Sequence, residues 1–381
     1  MEIWNEFRKN KIALFGLFGI LVFILIAIYA PLISNSMPLL LYNNKGISFP
    51  FFYFLFAPSS PEVIVDSFFN YFIFFIPGIL ICYYCIRNKN KFIKFLTLFI
   101  VTLGLIVPFV LSKNILNKTD WIEYAKKYDN TEFILFSPIP YGPYQIVGEP
   151  HEHPSKRHWF GTDHIGRDVL SRIIYGARVS FSVGIFATLL SLIIGTTIGL
   201  TAGYFGGFTD LFIMRIVEII ICFPAFLLLL ILIATFMDLK FEQSVLIVIP
   251  VIGFLSWTGL SRIVRGEVLK QRSLPYVKSC EVFGMSKTRI MFKHILPNIN
   301  GPILVCAVFA VAANILAESG LSFLGFGVQP PTASWGEILK EAFIDPLRYW
   351  NLTLWPGLLL FMTILFFNLI GEGLRKAINS E

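Results

Sequence analysis

The sequence predicts an all-α fold, a polytopic membrane helix bundle of about eight transmembrane helices. Of its 381 residues, 56% are hydrophobic and 14% charged, against about a quarter charged in a soluble domain, so most of the chain does not face water. Eight uncharged runs are each long enough to cross a hydrocarbon core of about 30 Å as a helix. The short segments richest in Lys and Arg then fall on one side of the bundle, because basic residues resist translocation. The net charge of +7 is accounted for by those loops and calls for no nucleic-acid partner.

The first run, Ile12 to Ile33, follows Arg8, Lys9 and Lys11. It is longer than the apolar stretch of a secretory signal, so residues 1–33 are expected to remain as an N-terminal anchor. Residues 34–177 hold an inserted pair of spans, Ser67 to Ile86 and Phe95 to Ser112, and a long external loop. Arg87, Lys89, Lys91 and Lys94 lie between the two spans and place that turn in the cytoplasm. The external segment Lys113 to Arg178 contains Ser137-Pro-Ile-Pro-Tyr-Gly-Pro, whose prolines exclude regular structure, so it is a loop ordered by packing.

Residues 178–381 hold the remaining runs: Val179 to Gly203, Ile219 to Met237, Gln243 to Leu260, Ile299 to Ala317 and Trp350 to Ile370. Between the third and fourth of these, Ser261 to Asn298 carries eight Lys and Arg against two acids, which makes it cytoplasmic. Both termini then lie in the cytoplasm, in agreement with the tail Arg375-Lys376.

Along Val179 to Gly203 a small residue recurs at every fourth position: Ala187, Ser191, Gly195, Gly199 and Gly203. Such a stripe lets another helix approach closely, either from this chain or from a second subunit. Arg215 and Glu218 are spaced for a same-face ion pair, expected to be structural. Glu318, just past a span, is either an interfacial carboxylate or part of a pathway. Of the five histidines, four crowd into His151, His153, His158 and His164; their spacing fits no rigid metal site, and a solvated loop is expected. The Cys82-x-x-Cys85 pair lies in an apolar run with no second ligand pair, so no metal or disulfide role follows. The sequence has no nucleophile elbow and no phosphate-binding Gly-Lys-Ser/Thr loop. A membrane-embedded enzyme using the external histidines and acids, and a secondary transporter, are the rival readings; the first lacks a catalytic constellation and the second an inverted repeat.

The most informative stretch is Leu274 to Asn298. Val277, Cys280 and Phe283 lie at helical spacing before Gly284, which can take the left-handed conformation that ends a helix. Ser286 can cap a second helix carrying Ile290, Met291 and Ile295 before Pro297. A helix, a corner and a second helix on a basic loop form a shape suited to a groove on a soluble partner, or to the membrane surface.

This segment resembles the coupling loop of permease subunits in binding-protein-dependent ABC importers. Gly284 and the ending His294-Ile-Leu-Pro fit the family pattern, while Lys278, Ser279 and Cys280 stand where the family has Glu-Ala-Ala. Phe160-Gly-Thr-Asp-His-Ile-Gly-Arg-Asp through Ser180, and Leu321-Ser-Phe-Leu-Gly-Phe-Gly-Val-Gln-Pro-Pro-Thr-Ala-Ser-Trp-Gly, resemble the second permease type of dipeptide, oligopeptide and nickel importers. Pro356-Gly357 and Asn368-Leu-Ile-Gly-Glu-Gly-Leu-Arg extend the resemblance over His158 to Lys376. The usual subunit has six spans, so the inserted pair is a departure; the long external loop is similar to that of the microcin-type peptide importers.

The resemblance implies an ATP-driven importer of peptides across the cytoplasmic (inner) membrane, with nickel or another small solute as the alternative cargo. It implies four kinds of protein partner or surrounding: a second homologous permease subunit, two ABC ATPase subunits, an extracytoplasmic solute-binding protein and membrane lipid. The chain itself would be no enzyme and would bind no cofactor, ATP and Mg residing on the ATPase subunits. The coupling residues would be Lys278, Ser279, Cys280, Phe283, Gly284, Met285, Ile295, Leu296 and Pro297. Gly161, Thr162, Asp163, Gly166, Arg167 and Asp168 would form an external motif that caps the next helix or meets the binding protein.

Overall fold

A computed structural model describes residues 2–43, 46–56, 60–86, 131–237 and 244–379. Among them, five helices are long and apolar enough to cross a membrane: Lys11–Ile28, Val169–Phe205, Val245–Arg272, Asn300–Phe323 and Trp350–Asn379. A sixth span is available if the bent pair Gly207–Cys222 and Ala225–Phe236 counts as one. The inserted run at Ser67 to Ile86 lies in the helix Val63–Ile86. Its companion at Phe95 to Ser112, and the basic turn at 87–94, fall outside the described residues.

Two spans depart from the limits set by hydropathy. The run Ile219 to Met237 is broken by an 84° bend at Phe223-Pro224, where proline has no N–H to continue the helix. The helix entering the small-residue stripe starts at Val169, ten residues ahead of the apolar run, and includes Arg172 and Arg178. Likewise the Val245–Arg272 helix carries Arg262, Arg265 and Lys270 within its last turns rather than in a loop.

The chain divides into two compact units. One comprises residues 1–21, 180–328 and 357–381, and the other residues 22–179 and 329–356. In the first, Gly195, Gly199 and Gly203 meet the Val245–Arg272 helix: a Cβ there would lie 2.9 Å from Trp257 O, 2.6 Å from Ser261 O and 2.9 Å from Arg265 O, respectively. The stripe is therefore filled from within the chain, and the two backbones approach as closely as only small residues allow. Arg265 adds a two-pronged pair to Asp210 at 2.5 and 2.6 Å. Arg215 and Glu218 do pair at 2.9 Å, on an exposed face, where such a contact adds little.

The second unit contains a three-stranded antiparallel sheet, β1 Leu40–Asn43, β2 Gly46–Ser48 and β3 Thr131–Leu135, in the order β2-β1-β3. Leu41 pairs with Ser48, and Leu40 with Leu135. The proline-rich stretch that follows is held by packing and edge hydrogen bonds: Ile139 N donates to Ile33 O at 3.0 Å and Asn35 N to Ile139 O at 3.1 Å. Ala30, Ile139, Tyr141, Ile174 and Tyr175 form its core.

Arg178 ties three helices of this unit together. Its guanidinium donates to Ala27 O and Ile28 O, which are orphan carbonyls at the end of the Lys11–Ile28 helix, and pairs with Asp66 of Val63–Ile86 at 2.8 Å. The rings of Phe69 and Tyr175 lie within cation–π range, at 5.5 and 5.2 Å. Both charges are buried, so Asp66→Leu is expected to cost about 3 kcal/mol through the unpaired guanidinium, and Asp66→Leu/Arg178→Met to recover part of it. Thermal unfolding of the three proteins in detergent checks this; equal stability of the single and double variants would remove the pair from the account.

Candidate functional site

Two groups of residues stand out, one in each unit. In the second unit the segment His158 to Asp168 is folded by its own polar side chains. Asp163 Oδ1 accepts from the backbone N–H groups of Ile165 and Arg167, both at 2.9 Å. Gly166 between them has φ +89, a conformation that side chains rarely adopt. Thr162 is buried; its Oγ1 accepts from Glu152 N at 2.8 Å and donates to Glu149 O. Val169 N donates to Gly161 O, and Asp168 Oδ1 accepts from Ser171 N at 2.8 Å, capping the Val169–Phe205 helix.

Onto this segment the helix Trp335–Glu341 brings two more carboxylates. Ser334 caps that helix by accepting from Glu337 N, and Trp335 Nε1 donates to Ile173 O. Arg172 pairs with Asp163 Oδ2, with Glu337 Oε2 at 2.5 Å and with Glu341 Oε1 at 2.6 Å. Arg167 reaches Asp163 Oδ2 at 2.5 Å and Glu341 Oε1 at 3.1 Å. Three buried carboxylates thus face two buried guanidiniums, and burial and ion pairing move two of them in opposite directions. Burial, helped by Glu341 and opposed by Arg172, pushes Glu337 up to about 8. Glu341 is buried too, but His164 and Arg172 outweigh burial and hold it down to about 2.

The histidines are not the solvated group expected. His158 is fully buried, with Nδ1 2.9 Å from Asp168 Oδ2, while burial pushes the Asp168 carboxyl up. His164 sits 3.1 Å from Glu341 Oε2, a contact that raises its pKa. His151 has a left-handed backbone, φ 57, and stacks on Tyr349 with centroids 3.9 Å apart. His153 alone of the four is exposed with no polar side-chain contact of this kind.

In the first unit, Leu274 to Asn298 builds the corner. Pro275 occupies the first turn of Pro275–Val282, where its missing N–H costs nothing. Gly284 ends the helix with φ +71, and Met285 N donates to Cys280 O at 3.1 Å. Ser286 has the extended backbone of a cap, without a side-chain cap hydrogen bond, before Lys287–Arg289. The second arm then continues as a π-helix, Ile290–Ile295, and a last turn Leu296–Asn298 with Pro297. Val277, Cys280, Ile290, Met291 and Ile295 are buried with Leu200, Tyr204, Val264 and Val268, and Met285 and Leu296 pack against them. Val282 and Phe283 point the other way, 86% and 80% exposed. Lys278 and Ser279 are exposed beside them.

Glu318 does not lie at a span's end. It sits inside the helix Asn300–Phe323, fully buried, where Ser180, Ser319 and Ser322 donate hydroxyls to it at 3.0, 3.3 and 2.7 Å.

Residues 195–381, which include the corner, match the family described as binding-protein-dependent transport system inner membrane component. Residues 1–46 match the N-terminal transmembrane domain of oligopeptide transport permease C. The chain is 36% identical over 261 residues to the glutathione transport system permease protein of Pectobacterium atrosepticum, covering 68% of this chain and 81% of the relative. It is 40% identical to the dipeptide transport system permease protein of Bacillus subtilis, covering 62% and 73%. With the oligopeptide transport system permease protein of Haemophilus influenzae the identity is 41%, covering 59% and 70%. The chain belongs to this family of inner-membrane permease subunits.

In this permease the structure gathers Asp163 and Arg167 into one ionic cluster, while Asp168 turns away to His158 and the helix start. Sequence reasoning quoted Arg172 within a motif but gave it no role, and missed Glu337 and Glu341 altogether. A local signal existed for the first of these two: Ser334-Trp-Gly-Glu337 is a capping-box pattern. Among the proposed coupling residues, Cys280 and Ile295 belong to the buried seat and Phe283 to the exposed tip.

Proposed function

We propose that this permease forms, with a second homologous permease subunit, the path of an ATP-driven importer that carries short peptides across the inner membrane. Its relatives' names support the cargo, since they are dipeptide, oligopeptide and glutathione transport permeases. On this reading a solute-binding protein delivers cargo outside, both termini lie in the cytoplasm, and two ABC ATPase subunits holding ATP and Mg dock inside. The chain itself binds no cofactor and hydrolyses nothing. Residues 1–33 serve as anchor, 34–177 as an insertion with its external loop, and 178–381 as the permease core.

The observation that carries the proposal is the corner's two-sided burial. Val277, Cys280, Ile290 and Ile295 root it in the helix bundle, while Val282 and Phe283 are presented at a turn fixed by Gly284. An exposed aromatic on a firmly seated tip is the form of an interface anchor. ATP-driven closure of the cassettes would then move a rigid corner rather than a slack loop, switching the permease between inward and outward access.

Phe283→Asp is expected to leave thermal unfolding unchanged, since the side chain is exposed, and to weaken association with the ATPase subunits about thirtyfold, the loss of roughly 2 kcal/mol at an interface hot spot. Uptake of a labelled tripeptide into liposomes with ATP inside, compared with co-purification of the subunits, measures both. Peptide uptake that needs no nucleotide, or that Phe283→Asp leaves intact, would overturn the reading.

A further inference from the structure

The ionic cluster of the second unit leaves one donor edge free of its arginines. Arg167 and Arg172 both take Glu341 Oε1, at 3.1 and 2.6 Å. Its Oε2, on a side chain only 6% exposed, meets neither arginine and has His164 as its partner. That oxygen faces His164 Nδ1 at 3.1 Å, and His164 is 46% exposed, so solvent reaches the edge from its side. Ligand atoms of Asp163, His164 and Glu341 all lie within 4.8 Å of one another.

A separation of 3.1 Å is that of an ion pair, and it is also one that two ligands of a single metal ion can adopt. Metal–nitrogen and metal–oxygen bonds of about 2.0–2.2 Å put neighbouring ligands roughly 3.4 Å apart in a tetrahedron and roughly 3.0 Å apart in an octahedron. Asp163 is already engaged by two backbone N–H groups and both arginines, so it contributes charge more than a bond. His151 lies in the same folded segment. Its backbone N–H donates to Asp163 O at 2.8 Å, and its Nδ1 is buried without a hydrogen-bond partner. Its left-handed φ of 57 is uncommon away from glycine and is held here by the surroundings.

We propose that His164 and Glu341, with the carboxylate of Asp163 beside them, bind one divalent transition-metal cation that ties the His151 to Asp168 segment to the Trp335–Glu341 helix. Imidazole with carboxylate suits zinc and its neighbours rather than calcium or magnesium. This departs from the expectation that the histidines hold no metal. The site is not the histidine cluster as such: His158 is committed to Asp168 and His153 points to solvent, and the third donor comes from a distant helix. It does not depend on which solute the permease carries.

The test uses the full chain in lipid nanodiscs, purified without a histidine tag. Zn²⁺ is titrated in competition with a chromophoric chelator, and Co²⁺ is followed by its visible absorption. One saturable equivalent is expected, together with a metal-dependent rise in unfolding temperature. His164→Gln should weaken binding at least about tenfold and abolish the rise, while His153→Gln changes neither. Glu341→Gln disturbs both arginines as well, so His164→Gln is the decisive variant; its metal-free unfolding temperature, expected to match wild type, verifies its fold. Absence of saturable binding in the wild type, or binding undiminished in a folded His164→Gln, overturns the proposal.

Discussion

Arg172→Met is expected to destabilise the permease by roughly 3–5 kcal/mol, the cost of removing one partner from a buried ion network. Arg172 is 1% exposed and touches Asp163, Glu337 and Glu341 at once. Methionine fills much of the volume but leaves those carboxylates with Arg167 as the remaining guanidinium of the cluster. Arg172→Lys should fall between, because one ammonium cannot serve three carboxylates as a planar fork does. The loss also has a pH signature. Glu341 is held at about 2 against an ordinary 4.5, so its ionised form adds stability that is present above 4.5 and disappears as pH falls through about 2. Without Arg172 that contribution shrinks, and the gap between variant and wild type should be widest at neutral pH and narrow below about 4.5. Unfolding temperature in detergent, scanned at one rate across that range, measures it. A gap independent of pH would mean that packing, not charge, sets the loss.

What the sequence revealed about this permease follows the range of each signal. Uncharged runs located five spans among the described residues because a bilayer demands length and apolarity, both of them local. Helix ends were misplaced where charges continue the helix: Asp168 caps it from outside the run, and Arg172 and Arg178 find buried partners instead of water. The corner was legible in outline, since Gly284 and the spacing of Val277 and Cys280 act over a few residues; the π-helical turn at Ile290–Ile295 left no pattern distinct from an ordinary helix. The small-residue stripe identified a contact face but not its partner. The ionic cluster was hidden because its halves, 163–172 and 337–341, are joined only by tertiary folding, and neither half declares the other.

Gly199→Val is expected to damage both the stability of the first unit and its transport activity. A Cβ at Gly199 would lie 2.6 Å from Ser261 O and 2.7 Å from Val264 Cβ, closer than such atoms approach, so the helices Val169–Phe205 and Val245–Arg272 must separate. Overpacking of this kind costs about 1–3 kcal/mol, and a backbone carbonyl as the obstacle places it toward the top of that range. The same two helices supply Leu200, Tyr204, Val264 and Val268 to the cluster that buries Val277, Cys280, Ile290 and Ile295. Spreading them therefore loosens the seat of the corner, and the tip carrying Phe283 loses its fixed relation to the bundle. Gly266→Ala, on the Val245–Arg272 helix with open space around it, should be neutral or stabilising by up to about 1 kcal/mol. The informative comparison is with Asp66→Leu, which destabilises the other unit. If the seat transmits the motion, Gly199→Val lowers ATP-driven peptide uptake more than Asp66→Leu does at equal loss of unfolding temperature. Equal uptake at equal stability would mean that close approach of these helices serves only to hold the fold.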